Sequence, residues 1–161
     1  MKRALNIFYG FVLLLGIFTL PGCGNGNVII DKNTSIDNHN WTYVNKIRFD
    51  VNVEDTKIPY TLYLNLRVTG DYKYSNAFVL ITIAGPDKKS DTKRYEFTLA
   101  DKEGEWLGEG SGNLYSFQIP FRKGYKFPTA GTYTFFIEQN MRDNPLKEVS
   151  DVGLKVEKVI P

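Results

Sequence analysis

Few residues in this chain could perform catalytic chemistry. The 161 residues include one His and one Cys, namely His39 and Cys23. A Ser-His-Asp or Cys-His arrangement would have to use His39, which lies in an Asn-rich stretch typical of a solvated loop. One His and one Cys also exclude the common zinc sites, which need three or four protein ligands. The sequence therefore predicts no catalytic residues, no metal site and no cofactor.

The sequence gives no specific support to glycoside hydrolysis or to phosphate binding. The 18 Asp and Glu residues offer carboxylate pairs for glycoside hydrolysis, but nothing in the sequence singles out one pair. The Gly-rich stretch 104–113 lacks the Lys-Ser/Thr ending of a phosphate-binding loop and carries two Glu residues, which repel phosphate. We interpret it either as a long connection between strands or as a binding loop that presents Trp106.

Cys23 stands where a lipid would be attached. The chain opens with Met1-Lys2-Arg3, continues with an apolar stretch, and then reads Leu20-Pro21-Gly22-Cys23. This order resembles the bacterial lipobox, in which the peptide is cut before the Cys and its thiol is acylated. We therefore predict a signal peptide over residues 1–22 and a palmitate-type lipid on Cys23. The alternatives are an uncleaved anchor or a plain signal peptide with an incidental Cys.

The remaining chain is predicted to have two parts and a balanced charge. Residues 23–40 are rich in Gly, Asn and Asp, which is typical of a flexible tether, with a short edge strand at residues 28–30 as the alternative within it. Residues 41–161 form the folded domain. Both surplus positive charges lie in the signal, so the mature chain carries 18 basic and 18 acidic residues. This balance gives no support to nucleic-acid binding. Since no acidic run follows Cys23, we expect a membrane-anchored envelope lipoprotein that faces the periplasm.

Beyond residue 40 the dominant pattern is a period of two, which places one face of a strand on a core and the other in water. The alternating segments are 47–53, 60–68, 94–99, 115–121, 132–138 and 152–157. Residues 77–84 are apolar at nearly every position, which predicts a central strand covered on both sides. One helical turn is expected at 139–146. The pattern predicts an antiparallel β-sandwich of seven to eight strands, with a jelly-roll or an immunoglobulin-like order.

Four stretches carry a resemblance to a known family. They are 63–67 with 71–76, then 104–110, 127–135 and 137–142. With the lipobox in front of them, their order and spacing are similar to those of the gliding-motility lipoprotein GldH family, over about residues 41–158. The resemblance implies a cell-envelope lipoprotein needed for gliding motility. It implies no known catalytic activity and no known cofactor.

Five positions that match the family pattern are candidates for contact with other envelope or motility proteins. They are Tyr74, Asn76, Trp106, Met141 and Arg142. We expect Trp106 and the Met141-Arg142 turn to be exposed, because Trp and Arg are typical interface anchors. We also expect Arg142 to pair with Asp151. Gly108 and Gly131 suit positions that need a positive φ or a close backbone approach.

The predicted function is that of a non-enzymatic scaffold or interaction module in a motility or secretion assembly. Its expected partners are the membrane, through the lipid, and other envelope proteins; a small-molecule ligand is not expected. The alternative is a lipid-anchored carbohydrate-binding module for glycan uptake. That alternative calls for coplanar exposed aromatic side chains or a Ca²⁺ site.

Overall fold

The computed structural model describes residues 26–160, and these fold into strands and one short 3₁₀ segment at Asp37–His39. The predicted signal peptide and Cys23 lie outside the described residues. The strands are β1 (Val28–Ser35), β2 (Asn40–Trp41), β3 (Ile47–Val53), β4 (Tyr60–Thr69), β5 (Asn76–Ala84), β6 (Ser90–Thr98), β7 (Glu109–Ser111), β8 (Leu114–Tyr125), β9 (Gly131–Gln139), β10 (Leu146–Lys147) and β11 (Val149–Lys158).

The strands form antiparallel sheets that enclose one core. The larger sheet has the order β1-β11-β4-β8-β7, the second has the order β3-β9-β5-β6, and β10 pairs with β2. Alternate side chains of both large sheets enter a single hydrophobic cluster, which is the arrangement of a β-sandwich. The predicted fold class is confirmed. The predicted count of seven to eight strands is too low, because β1 and the short strands β2, β7 and β10 carry no alternating pattern long enough to detect.

Strand β5 lies inside its sheet, between β9 and β6, but only one of its faces is fully buried. Buried residues alternate with half-buried ones along the strand. The outward face is covered by long side chains of the same sheet; the guanidinium of Arg94 lies 3.7 Å from the ring centre of Phe78. The expectation of a strand covered on both sides is therefore wrong, since a neighbouring arginine replaces the second layer.

The folded part begins within the segment that the sequence predicts as a tether. Strand β1 pairs with β11 from Val28 to Ser35, and Ile36 and Trp41 are buried. Strand β1 lies at the edge of its sheet, where polar outward side chains remain in water while the backbone is paired. A composition typical of a loop thus belongs here to an edge strand of eight residues. Only residues 24–27 separate Cys23 from the first strand.

Two glycines are required by their surroundings, as predicted. A Cβ on Gly108 would lie 2.7 Å from the ring of Phe117, and Gly131 has a φ of +135°. The first position allows the chain leading into β7 to cross closely over a core aromatic side chain. The second allows β9 to begin in a conformation that other residues rarely adopt.

No helix within residues 26–160 is long and apolar enough to span a membrane.

Candidate functional site

The connection between β9 and β10 brings three of the predicted residues together at one end of the sandwich. Residues 140–145 form this connection, and its Met141 and Arg142 lie close to Tyr74. The Tyr74 hydroxyl donates a hydrogen bond of 2.6 Å to Asp143. Lys73 approaches the same carboxylate at 3.8 Å. The sequence pattern indicated Tyr74, Met141 and Arg142 but not Asp143, whose carboxylate joins Tyr74 to the connection.

The connection is not helical, which contradicts the expected helical turn. The side chain of Gln139, which is buried, takes the place of helical backbone bonds. Its amide nitrogen donates to the Asp143 carbonyl at 3.0 Å, and its amide oxygen accepts from the Met141 backbone at 2.9 Å. A buried side chain thus satisfies the loop backbone from within and holds its shape.

A second loop is tied to this connection from the other side. The Tyr43 hydroxyl donates to the Met141 carbonyl at 2.6 Å, and the Tyr43 backbone donates to the Asn144 side chain at 3.0 Å. Nevertheless, Tyr43 keeps 41% of its surface exposed, and Val44 keeps 88% exposed. Two adjacent large side chains are therefore exposed on a backbone that internal hydrogen bonds hold in place.

We call this region the distal surface, and it consists of Tyr43, Val44, Lys73, Tyr74 and Arg142. Lys73, Tyr74 and Arg142 also line a shallow cleft of about 530 Å³. The hydrogen bond to Asp143 and the negative charge of that carboxylate raise the pKa of the Tyr74 phenol. Tyr74 is therefore a neutral hydrogen-bond donor at physiological pH.

Met141 and Asn76 are engaged in internal contacts. The sulfur of Met141 lies 3.2 Å from the backbone nitrogen of Phe78, and its side chain packs against the core. The Asn76 amide donates to Glu96 at 2.7 Å across β5 and β6. Met141 therefore anchors the connection to the sheet rather than standing exposed, and Asn76 supports the pairing of two strands.

Trp106 is half-buried, so the expectation that it is exposed is wrong. Its ring centre lies 5.3 Å from that of Tyr115 and 6.4 Å from that of Tyr72. Tyr72 in turn lies 6.0 Å from Tyr74. An aromatic chain thus supports the distal surface from beneath. The exposed residue of this turn is the neighbouring Leu107, at 59%.

The Asp151 carboxylate pairs with Arg67 rather than with Arg142, so the predicted pairing is wrong. Arg67 Nε donates to Asp151 at 2.7 Å, and the two residues are opposite each other on β4 and β11. Ser35 of β1 donates to the same carboxylate at 3.0 Å, and Ser150 donates at 2.6 Å. Burial opposes the charged form, but these hydrogen bonds outweigh it and lower the pKa of Asp151.

Other site chemistry is limited in the described part of the chain. His39 is exposed at the end of the 3₁₀ segment. Across residues 26–160, no three His, Cys, Asp or Glu side chains are grouped so that they could hold a metal ion.

The fold and this surface define a class: a small β-sandwich domain that begins a few residues after a lipobox-like Cys and exposes a fixed loop surface at its far end. A family model described as GldH lipoprotein matches residues 28–156, and the chain belongs to this family. The match begins at the first residue of β1. Membership in a lipoprotein family implies attachment to a membrane of the cell envelope.

Two relatives agree with this assignment. The chain is 31% identical to the gliding motility lipoprotein GldH homolog of Christiangramia forsetii, over 95% of this chain and 97% of the relative. It is 26% identical to the gliding motility lipoprotein GldH of Flavobacterium johnsoniae, over 91% of this chain and 94% of the relative. The resemblance inferred from the sequence is confirmed.

Replacing Trp106 tests its role in packing. We expect Trp106→Ala to lower the free energy of unfolding by about 2 kcal/mol, since a half-buried aromatic side chain is lost from a cluster. Leu107→Ala is the matched control and should change it by less than about 0.5 kcal/mol. Urea denaturation followed by circular dichroism measures both. Equal stability of the Trp106 variant and the native chain would contradict this role.

Replacing Asp151 tests the ion pair and its dependence on pH. Because the folded-state pKa is lowered, the unfolded state binds the proton more readily, and the stabilisation is lost as the pH falls below about 4. We expect Asp151→Asn to lower the free energy of unfolding by about 2 kcal/mol at neutral pH. In the variant this free energy should also fall less steeply as the pH is lowered. Asp37→Asn, which alters an exposed carboxylate, should leave both properties unchanged. An unaltered acid profile in Asp151→Asn would contradict the assignment.

Proposed function

We propose that this protein is a non-enzymatic component of a gliding-motility or secretion assembly. A lipid on Cys23 holds it to the membrane, and the distal surface contacts another envelope protein. The observation that carries the proposal is the combination of exposed side chains with a backbone fixed by internal hydrogen bonds. Val44 is 88% exposed, although the adjacent Tyr43 is hydrogen-bonded to the β9–β10 connection.

The distal surface has the composition of a protein contact site. Tyr and Arg are enriched where proteins bind one another, and here Tyr43, Val44 and Arg142 surround a tied loop. A loop that is already ordered loses little conformational entropy on binding. Arg142 lies more than 4.0 Å from every carboxylate of residues 26–160. The matching partner surface is therefore apolar with a carboxylate near its centre.

The topology supports a distal surface that points away from the membrane. Strand β1 begins at Val28, close to Cys23, and ends at Ser35, so its ends are roughly 24 Å apart at ~3.4 Å per residue. Ser35, Asp151 and Arg67 are opposite each other in the sheet. Arg67 lies near the end of β4, which leads to Tyr74, and Asp151 lies near the start of β11, which follows the 140–145 connection. Tyr74 and this connection therefore both lie at the Ser35 end. A partner would reach this end from the periplasm.

The short segment before β1 supports close confinement to the bilayer. Residues 24–27 allow at most about 18 Å between Cys23 and Val28. Asn27 is held to the last strand by a 2.8 Å hydrogen bond from Lys158. Confinement of this kind raises the effective concentration of one envelope protein near another, so that weak contacts suffice for assembly.

The role of the distal surface is tested by photo-crosslinking in the native envelope. A photoreactive residue placed at position 44 of the full lipidated chain should form an adduct with a single envelope protein. Arg142→Ser in the same chain should reduce the adduct about tenfold, because the charged contact is lost. Lys57→Ser is the control, since Lys57 is an exposed cation in the connection between β3 and β4, at the opposite end of β3 from Val44. An equal adduct in the Arg142 and Lys57 variants would contradict the role of the distal surface.

Lipid attachment is tested separately. We expect Cys23→Ser to abolish incorporation of labelled palmitate, because the acceptor thiol is lost, and globomycin to make the native precursor accumulate. Membrane fractionation should find the native chain in the membrane and should show that the variant is not lipid-anchored. Normal palmitate labelling of Cys23→Ser would refute the assignment of this residue.

A further inference from the structure

The outer face of the five-stranded sheet carries a polar groove of about 640 Å³. This volume falls in the range of small-ligand sites, about 300–1,000 Å³. The groove lies on the side of β1, β11, β4 and β8 that faces away from the core. It is separate from the distal surface.

A row of side-chain amides crosses the groove. Asn33, Gly153, Asn65 and Gln118 are aligned with one another on four neighbouring strands, a width of roughly 14 Å at ~4.8 Å per strand. Gly153 is buried beneath Asn33, because a Cβ there would collide with the Asn33 side chain and with the Lys32 carbonyl. The missing side chain leaves room for the Asn33 amide to lie against β11.

The amides are oriented before any ligand arrives. The Asn65 nitrogen donates to Asp31 at 2.7 Å and to Asn33 at 3.0 Å, while Gln118 donates to the Asn65 oxygen at 3.1 Å. Asn65 is only 7% exposed. A buried amide thus fixes its two neighbours, Asn33 and Gln118, which are exposed at the groove surface.

The lining has more acceptors than donors. Three carboxylates, those of Asp31, Glu109 and Asp151, line the groove against one guanidinium, that of Arg67. Beside them the Lys155 ammonium donates to the Gln118 oxygen at 3.2 Å, and its charge is paired with Glu157 at 3.4 Å. Phosphate and acidic ligands are repelled by this balance. A ligand rich in hydroxyl groups matches it, because each hydroxyl can donate to a carboxylate and accept from an amide. An extended peptide has only one N–H per residue and brings as many carbonyl acceptors.

One exposed apolar side chain borders the polar row. Leu107 is 59% exposed at the margin of the groove. The C–H face of a sugar ring packs on such a side chain, while the hydroxyl groups face the amides. This combination of a few oriented polar groups with an apolar neighbour is typical of ligand sites.

We propose that this groove binds a short, uncharged oligosaccharide through Asn33, Gln118 and Asp31. It does so with side-chain amides, rather than with the coplanar aromatic rings or the Ca²⁺ site that the sequence-based alternative calls for. This proposal differs from the sequence-based expectation, which is that the protein binds no small-molecule ligand. It is independent of the distal surface, so either can be tested alone.

The test uses the full lipidated protein in a detergent without a sugar headgroup. Maltotriose, cellotriose, mannotriose and triacetylchitotriose are titrated by saturation-transfer NMR, beside trigalacturonic acid and pentaalanine. We expect at least one neutral trisaccharide to bind, and Asn33→Ala and Gln118→Ala each to weaken its binding about tenfold. Asn52→Ala is the matched control, because Asn52 is an exposed Asn on the edge strand β3, and it should leave binding unchanged.

The unfolding midpoint of each variant is measured in parallel, so that a loss of binding is not mistaken for a loss of fold. The proposal is overturned if none of the four neutral trisaccharides binds, or if Asn33→Ala and Gln118→Ala bind as well as the native chain. Binding of trigalacturonic acid or pentaalanine alone would also overturn it. None of these results bears on the crosslink at position 44.

Discussion

The carboxylate of Asp151 is the point at which three strands are held in one alignment. Hydrogen bonds from Ser35 on β1 and Arg67 on β4 converge on it from both sides of β11. Burying this charge is unfavourable unless such partners surround it. Because the pairing of β1 with β11 depends on this alignment, the row of amides in the groove depends on it too.

In the proposed arrangement, different regions along the sandwich have different roles. The end near Val28 would face the membrane, since only a short segment joins it to Cys23. The opposite end exposes Tyr43 and Arg142 on connections whose backbones are satisfied internally. The groove lies between these ends, on the face of the larger sheet. A rigid sheet keeps these regions at constant separation, because interiors packed to crystal density deform little.

The residues that support the distal surface from within are themselves buried or half-buried. Gln139 satisfies the backbone of the 140–145 connection, and Trp106 with Tyr72 packs beneath Tyr74. Aromatic clusters of this kind add specific geometry to the burial of apolar area. Of the contact residues predicted from the sequence, Trp106 and Met141 thus support the surface from beneath, whereas Tyr74 and Arg142 form part of the surface itself.

The amino-acid sequence by itself determined the strand-rich fold class and the family, because alternation with a period of two and the spacing of motifs are local properties of the chain. The tertiary structure decided what depends on distant partners. Asp151 selects Arg67, 84 residues away, over the nearby Arg142, since sheet pairing places the guanidinium opposite the carboxylate. Likewise β1 becomes a strand only because β11 satisfies its backbone, and the absence of a side chain at Gly153 matters only because Asn33 of β1 lies over it.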